Sequence, residues 1–247
     1  MDNKLKLENL KKTVAGSNQN PFQQTKFART NIIQKIIKLF SQFSKEQLVK
    51  KNEKVSIAGR IMGKRMFFAD LADQSGTIQL MATNNKDFAK LDRGDIVGVE
   101  GIIYKTDKQK DKQELTIKVE KFILLSKCLK PLPSSYYGLE VTEKRFRNRH
   151  LDFIVNEGRR EIFFTRHKVI KGICQFLEER DFIEIETPVL VSEASGAQAQ
   201  PFITKHEKLD RNFYLRIATE IPLKTLLVGG FEKIYEIGRI FRNEGID

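Results

Sequence analysis

The chain has 247 residues, 40% apolar and 31% charged, with a formal net charge of +12, a balance suited to one or two soluble globular domains. No apolar run reaches the roughly 18 residues of a membrane span, and Met1-Asp2-Asn3-Lys4-Leu5 carries no apolar signal core. Cys128, Cys174 and the three histidines have neither disulfide nor metal-ligand spacing, so a reducing cytoplasm is the expected compartment and a structural metal is not expected.

In chain order, residues 1–51 read as a basic extension. The first 54 residues hold twelve Lys/Arg against four acids. Such a front end attracts a polyanion, nucleic acid being the usual one, though a merely solvated basic surface has the same composition. Residues 1–29 read as polar and weakly ordered, with Ser17-Asn18-Gln19-Asn20-Pro21 as a breaker cluster. Thr30 or Asn31 could then cap a helix. Ile32, Ile33, Ile36, Ile37, Phe40 and Phe43 recur at helical spacing, with Lys35 and Lys38 opposite. That stripe fits a helix packed on its own domain or one lying on a membrane surface.

From Val55 the period shortens to two. Five runs read as strands: Val55 to Ile61, Met66 to Leu71, Gly76 to Met81, Asp95 to Ile103 and Leu115 to Val119. A short helical stretch, Lys86 to Leu91, falls between the third and fourth, and charged residues 105–112 form the last hairpin tip. This is the element order of a five-stranded OB-fold β-barrel over 52–130. Lys130-Pro131-Leu132-Pro133-Ser134-Ser135 opens a linker, 131–150. A long amphipathic helix follows, about 159–180, with Ile162, Phe163, Val169, Ile170, Ile173, Phe176 and Leu177 as its stripe. Two later strands are expected, 213–218 and 233–241. The whole is α+β.

Three segments of residues 151–247 carry candidate chemistry. If 233–241 continues as a strand, period two puts Arg242 and Glu244 on one face. That pair fits a surface ion-pair ladder or a nucleotide clamp, since a guanidinium forks across phosphate oxygens. Tyr214, Arg216, Ala218 and Glu220 share a face in the same way, with Glu220 at the end of an apolar strand. A carboxylate there needs a cation, either from the protein or from a ligand. Ser195-Gly196-Ala197-Gln198-Ala199-Gln200-Pro201 is a small-residue loop that serves as a turn or lets a ligand approach the backbone.

Together these segments resemble the class II lysyl-tRNA synthetases, from about Asn20 to Asp247. The helix and strand Phe176-Leu177-Glu178-Glu179-Arg180-Asp181-Phe182-Ile183-Glu184-Ile185-Glu186-Thr187-Pro188 are similar to class II motif 1, and Phe241-Arg242-Asn243-Glu244 to motif 2. Motif 2 gives the class. The lysyl resemblance rests on Gly196-Ala197, Pro201-Phe202-Ile203-Thr204, Tyr214-Leu215-Arg216-Ile217-Ala218 and Leu226-Leu227-Val228-Gly229-Gly230-Phe231-Glu232-Lys233.

The resemblance implies an anticodon-binding OB-fold followed by part of the family's antiparallel-sheet catalytic domain. It implies that lysine is joined to its tRNA at the expense of ATP, through a lysyl-adenylate, with Mg²⁺ assisting. Arg242 would bind the lysine carboxylate and the ATP α-phosphate, and Glu244 the adenine end. Glu220 would accept from the lysine ε-ammonium, and the Gly196 backbone would line the lysine pocket. Phe68 would stack on an anticodon base and Gln79 would hydrogen-bond one, with Arg60 and Arg65 as further RNA partners. Pro188 would close motif 1 at a homodimer interface. Neither DNA nor a membrane is an expected partner.

The sequence departs from the family pattern in places. Ser195 stands where a second glycine is usual, Gln200 where an arginine is, and Thr219 and Pro222 replace a proline and an aromatic. The Met62–Phe68 hairpin is short. Asp247 is the last residue, before the family's motif 3 and its Mg²⁺ ligands. The expectation is therefore either a truncated form of the ligase or, alternatively, a tRNA-binding module on an inactive remnant. Synthetase-like ligases that lysylate a protein lack the barrel, so residues 55–125 weigh against that reading.

Overall fold

The structure, a computed structural model, describes residues 24, 26–83, 88–109, 112–133 and 139–245. The breaker cluster, most of the basic extension, the start of the expected 86–91 helix, the crown of the last hairpin, part of the linker and Asp247 lie outside the described residues. The chain divides into two compact units, Met1–Glu157 and Gly158–Asp247.

The first unit is a closed barrel of β1 (Lys54–Arg65), β2 (Phe68–Ala72), β3 (Thr77–Met81), β4 (Ile96–Gln109) and β5 (Lys112–Ser126), in the order β1-β2-β3-β5-β4, with β4 returning to β1. All ladders are antiparallel except β3–β5. Closure removes free sheet edges. Alternation along the strands sends Val55, Ile57, Ile61, Ala69, Leu71, Ile78, Leu80, Val97, Val99, Ile103 and Ile117 into one core. A 3₁₀ turn, Phe88–Lys90, lies between β3 and β4 and inserts the buried Phe88.

Helix α1 (Ile33–Phe40) joins that core through Ile33 and Ile36, which are fully buried. Its stripe therefore packs on its own domain. Its cap differs from the expectation. The N-cap residue is Ile32, with no side-chain cap. Asp73 Oδ2 accepts instead from the Ile33 amide at 3.0 Å, and Ser75 Oγ from the Gln34 amide at 3.0 Å. Thr30 is occupied elsewhere, its hydroxyl accepting from the Ser56 amide. Helix α2 (Lys45–Lys51) follows, started by a Ser44/Gln47 capping box. Lys45 pairs with Asp107 at 2.7 Å and Lys105 Nζ donates to the Ser41 carbonyl at 2.9 Å, which ties the outer β4–β5 arm to the two helices.

Two buried carboxylates organise the rest of this unit. Asp95 accepts from Lys127 Nζ at 2.7 Å and from the Cys128 and Asp92 amides. Helices α3 (Thr142–Arg147) and α4 (Arg149–Val155) are joined by Asp152. It accepts from Arg145 Nε at 3.0 Å, Arg149 Nη1 at 2.8 Å and Asn156 Nδ2 at 2.7 Å.

The second unit is built on α5 (Glu161–Glu178), a parallel pair of β6 (Ile183–Glu184) and β10 (Ile234–Tyr235), and a sheet in the order β7 (Leu190–Val191), β9 (Arg211–Leu215), β8 (Ile203–His206). Helix α6 (Glu220–Val228) lies between β9 and β10. The strands expected at 213–218 and 233–241 are shorter than their alternation suggested. β9 ends at Leu215 and β10 at Tyr235, and residues 236–245 run outside any strand. Glu220 therefore opens a helix rather than closing a strand. Among the described residues this unit contributes only Ile217 and Tyr235 to the buried apolar set. The stripe of α5 is largely exposed, with Ile162 at 64%, Val169 at 55% and Phe176 at 54%. No described helix is long and apolar enough to cross a membrane.

Candidate functional site

The outer face of the barrel collects one group of the candidate residues. On β1 to β3 the positions that alternate out of the core include Arg60, Arg65, Phe68, Asp70, Gln79 and Met81. The register pairs Arg65 with Phe68, Phe68 with Met81, and Asp70 with Gln79. Phe68 is half-buried and Arg65 exposed, the latter 3.8 Å from Asp70. Arg60 shares the face, but its Nη1 donates to the Gly94 carbonyl at 2.7 Å. It braces the loop before β4, so Phe68, Gln79 and Arg65 form the tighter group.

Gln79 sits in a polar nest contributed by β4 and β5. Its Oε1 lies 2.9 Å from the Thr106 hydroxyl and 2.9 Å from the Thr116 hydroxyl. Its Nε2 donates to Glu114 Oε2 at 3.2 Å. Thr116 is fully buried. None of Thr106, Glu114 and Thr116 was singled out from the sequence, because their meeting with Gln79 depends on cross-strand register. The face thus offers an aromatic surface, an amide and carboxylates rather than a uniformly basic patch.

The second unit holds the other group. Gly196 has φ +87, a conformation glycine adopts without strain. A side chain there would meet Ala218 Cβ at 3.1 Å and Glu220 Cβ at 3.4 Å. The loop carrying Gly196 ends at Gln200, whose backbone holds the far segment. The Asn243 amide donates to the Gln200 carbonyl at 2.7 Å, and the Gln200 amide donates to Glu244 Oε1 at 3.2 Å. One loop therefore brings Gly196 against Glu220 at one end and fixes Glu244 at the other. Only the backbone of Gln200 is needed for this.

Arg242 is exposed and stands between two backbone anchors. The Phe241 amide donates to the Arg216 carbonyl at 3.0 Å, and the Asn243 bond to Gln200 follows. Arg216 itself is 4% exposed. Its Nη1 donates to Glu236 Oε1 at 2.5 Å and to Thr187 Oγ1 at 2.9 Å, and its Nε to the Arg239 carbonyl at 3.0 Å. Thr187 Oγ1 completes the ring by donating to Glu236 Oε2 at 2.7 Å. The sequence placed Arg216 on a face with Glu220. Its partner is Glu236, twenty residues on, which alternation could not indicate.

Glu220 is exposed at the first turn of α6, where a negative charge is favoured. Its neighbour is Lys224 Nζ at 2.6 Å, one helical turn later. The cation anticipated for this carboxylate is thus present in the protein, at a spacing the sequence displays. Pro222 falls in that first turn, where a missing amide costs nothing. Pro188 is exposed beside the buried Thr187.

Comparison with known proteins fits this division. Residues 55–125 match the family described as OB-fold nucleic acid binding domain, and residues 141–247 the family of tRNA synthetases class II (D, K and N). The chain is 53% identical to a lysine–tRNA ligase of Synechococcus sp. (strain CC9311) over 204 residues, 78% of this chain and 41% of that protein. It is 44% identical to that of Bacillus cereus (strain AH187) over 238 residues, 92% of this chain and 47% of that protein. It is 46% identical to that of Latilactobacillus sakei subsp. sakei (strain 23K) over 234 residues, 90% of this chain and 46% of that protein. It thus spans somewhat under half the length of these relatives. The chain thus carries a segment matched by the OB-fold nucleic acid binding family followed by one matched by the class II tRNA synthetases of the D, K and N group, and most of its length aligns with lysine–tRNA ligases.

Proposed function

We propose that this chain supplies the anticodon-reading barrel and the lysine- and α-phosphate-binding part of a lysine–tRNA ligase. The observation that carries the reading is the Gly196–Gln200 loop. It packs against Glu220 at one end and pairs with Asn243 and Glu244 at the other, so the residues assigned to lysine and to ATP share one support.

In this reading the lysine carboxylate oxygen attacks the α-phosphorus of ATP. A new phosphorus–oxygen bond forms as the bond to pyrophosphate breaks, leaving lysyl-adenylate. The terminal hydroxyl of the tRNA then attacks the lysyl carbonyl, and AMP leaves. Arg242, held by its flanking amides, bridges the carboxylate and the α-phosphate and offsets their charge where they meet. Glu244 accepts from the adenine amino group. Glu220 accepts from the lysine ε-ammonium, which takes the place Lys224 holds in the free protein. A ligand lacking that ammonium cannot displace Lys224 from the carboxylate, which is the basis of selectivity. Among the described residues no group of three or more His, Cys, Asp or Glu is assembled, and none of them is assigned to Mg²⁺.

The barrel contributes by stacking Phe68 on an unpaired base and by hydrogen-bonding a base edge through Gln79, the usual way single-stranded RNA loops are read. A second copy of the chain covers the apolar face of α5, with Pro188 near that interface, and the protein works in the cytoplasm.

The test is lysine-dependent ATP–pyrophosphate exchange. Exchange that Arg242→Ala reduces by at least 10²-fold, the usual cost of an electrostatic contact made in the transition state, supports the reading. A second reading, a tRNA-binding module, is favoured by one feature: nearly all the buried apolar residues lie in the first unit. Salt-sensitive tRNA binding without any lysine-dependent exchange selects it.

A further inference from the structure

The nest around Gln79 has a consequence for what that residue can say to a base. A carboxamide has two acceptor lone pairs on its oxygen and two hydrogens on its nitrogen. The Glu114 carboxylate accepts only, so the group facing it at 3.2 Å is the Gln79 nitrogen, and the flip is fixed by chemistry. That turns Oε1 to the two threonine hydroxyls, each 2.9 Å away. Oε1 is thereby faced by the two hydroxyls, at least one of which donates to it. One nitrogen hydrogen is spent on Glu114, and one remains.

We propose that Thr106 and Thr116 are positioning residues that hold Gln79 in a single orientation, so that it meets an RNA base as a hydrogen-bond donor and not as an acceptor. This rests on the reading of the outer barrel face as an RNA surface. The two hydroxyls also lie 2.9 Å from each other, and Thr116 Oγ1 is 3.0 Å from the Glu114 carbonyl. With one hydrogen each, the two hydroxyls share these contacts in turn while both stay against Oε1, on two paired strands. Thr116 has no exposed surface to offer a ligand. Its hydroxyl is buried on the side of β5 that faces the candidate RNA surface, a position where valine would fill the same volume. Without the hydroxyls only the bond to Glu114 opposes rotation of the amide, and a base edge offering a donor then competes with one offering an acceptor.

The test is binding of an anticodon stem–loop of lysine tRNA to the 247-residue chain, in parallel with stem–loops changed at single anticodon bases. Gln79→Ala weakens binding to the cognate loop. Thr116→Val weakens it about threefold to tenfold, the worth of one neutral hydrogen bond, and narrows discrimination among the altered loops. Thr116→Ser restores both. In a Gln79→Ala background Thr116→Val has no further effect, because its action passes through Gln79. Thr106→Val, at a more accessible position, gives the same coupled pattern and serves if the Thr116 variant folds poorly. An equal loss with and without the Gln79 side chain overturns the inference and leaves the function intact. Absence of stem–loop binding by the unmutated chain, or no effect of Gln79→Ala, overturns the barrel reading and the inference with it.

Discussion

Gly238 shows how a position without a side chain can govern one with chemistry. A Cβ there would press on the Arg216 guanidinium and come within 2.6 Å of Glu236 Oε1. Both belong to a buried ion pair that also holds the Arg239 carbonyl. Gly238→Ala is therefore expected to cost about 1–3 kcal/mol, as overpacking of a tight site does. It should also displace the segment carrying Arg242, lowering exchange activity more than lysine affinity. Arg216→Met is expected to cost more, about 3–5 kcal/mol, because Glu236 is left as a buried charge without its cation. Thermal melts and exchange assays on the two variants check both. Equal activity of Gly238→Ala and the unmutated protein would show that Arg242 does not depend on this support. Asp152 gives a pH-dependent case. Burial pushes its carboxyl up, but the hydrogen bonds from Asn156 and Arg145 and the charges of Arg145 and Arg149 outweigh it and hold it below the ordinary carboxylate value. A group depressed in the folded state stabilises fully above its unfolded pKa, about 4, and loses that contribution as pH falls through the folded one. Asp152→Asn should thus lower the melting temperature at neutral pH and converge with the unmutated protein well below about pH 4. Parallel curves across that window, measured by urea unfolding, would exclude the role.

The elements follow the same division between local and distant causes. The five barrel strands were legible because inward Val, Ile and Leu alternate with polar residues, a pattern that burial of one face imposes. The outer arm was not. β4 and β5 continue to Gln109 and from Lys112, pairing Thr106 with Glu114 and Asp107 with Gln113. Backbone ladders can run on where no core enforces alternation, so charged residues masked the strands. Helix α2 carries a local start signal, Ser44 with Gln47 three residues on, although the sequence reading placed no helix there. Helix α1 has no such signal, since its caps come from Asp73 and Ser75, forty or more residues away. Asp73 also accepts from the Ser75 and Gly76 amides within its turn, so it serves a helix start and a hairpin together. Asp73→Ala should cost about 1–2 kcal/mol, the upper range for loss of a helix N-cap, by urea denaturation. Asp73→Asn, which keeps an acceptor, should recover most of it. A loss below a few tenths of a kcal/mol would mean that water replaces the carboxylate. In the second unit alternation overstated the strands. Residues 213–218 and 233–241 alternate, yet past Leu215 and Tyr235 the chain is held by the Arg216 side chain and single amides rather than by a ladder.

At the scale of the whole molecule the two units differ in how they satisfy their apolar residues. The barrel buries its own, whereas α5 presents Ile162, Phe163, Val169, Ile173 and Phe176 on the surface. Arg180 covers one of them, its guanidinium stacked 3.6 Å from the centre of the Phe176 ring. The motif 1 resemblance assigns that face to a second copy of the chain, and a twofold contact makes each substitution count twice. Burying one isoleucine is worth about 1.5–3 kcal/mol. Ile173→Lys removes that burial from both copies, so the dissociation constant should rise by about 10²–10⁴-fold. Light scattering over a dilution series reads this directly, against a single-chain mass of 28.6 kDa. The unmutated chain is expected to approach twice that mass, and the variant to remain at it. The barrel provides the control: Phe67→Lys, at an exposed turn of the first unit, should leave the series unchanged. A chain that stays single at every concentration, or an Ile173→Lys variant that pairs as well as the parent, would remove the dimer from the proposed function. The RNA face proposed for the barrel would be untouched by that result, because its residues lie in the other unit.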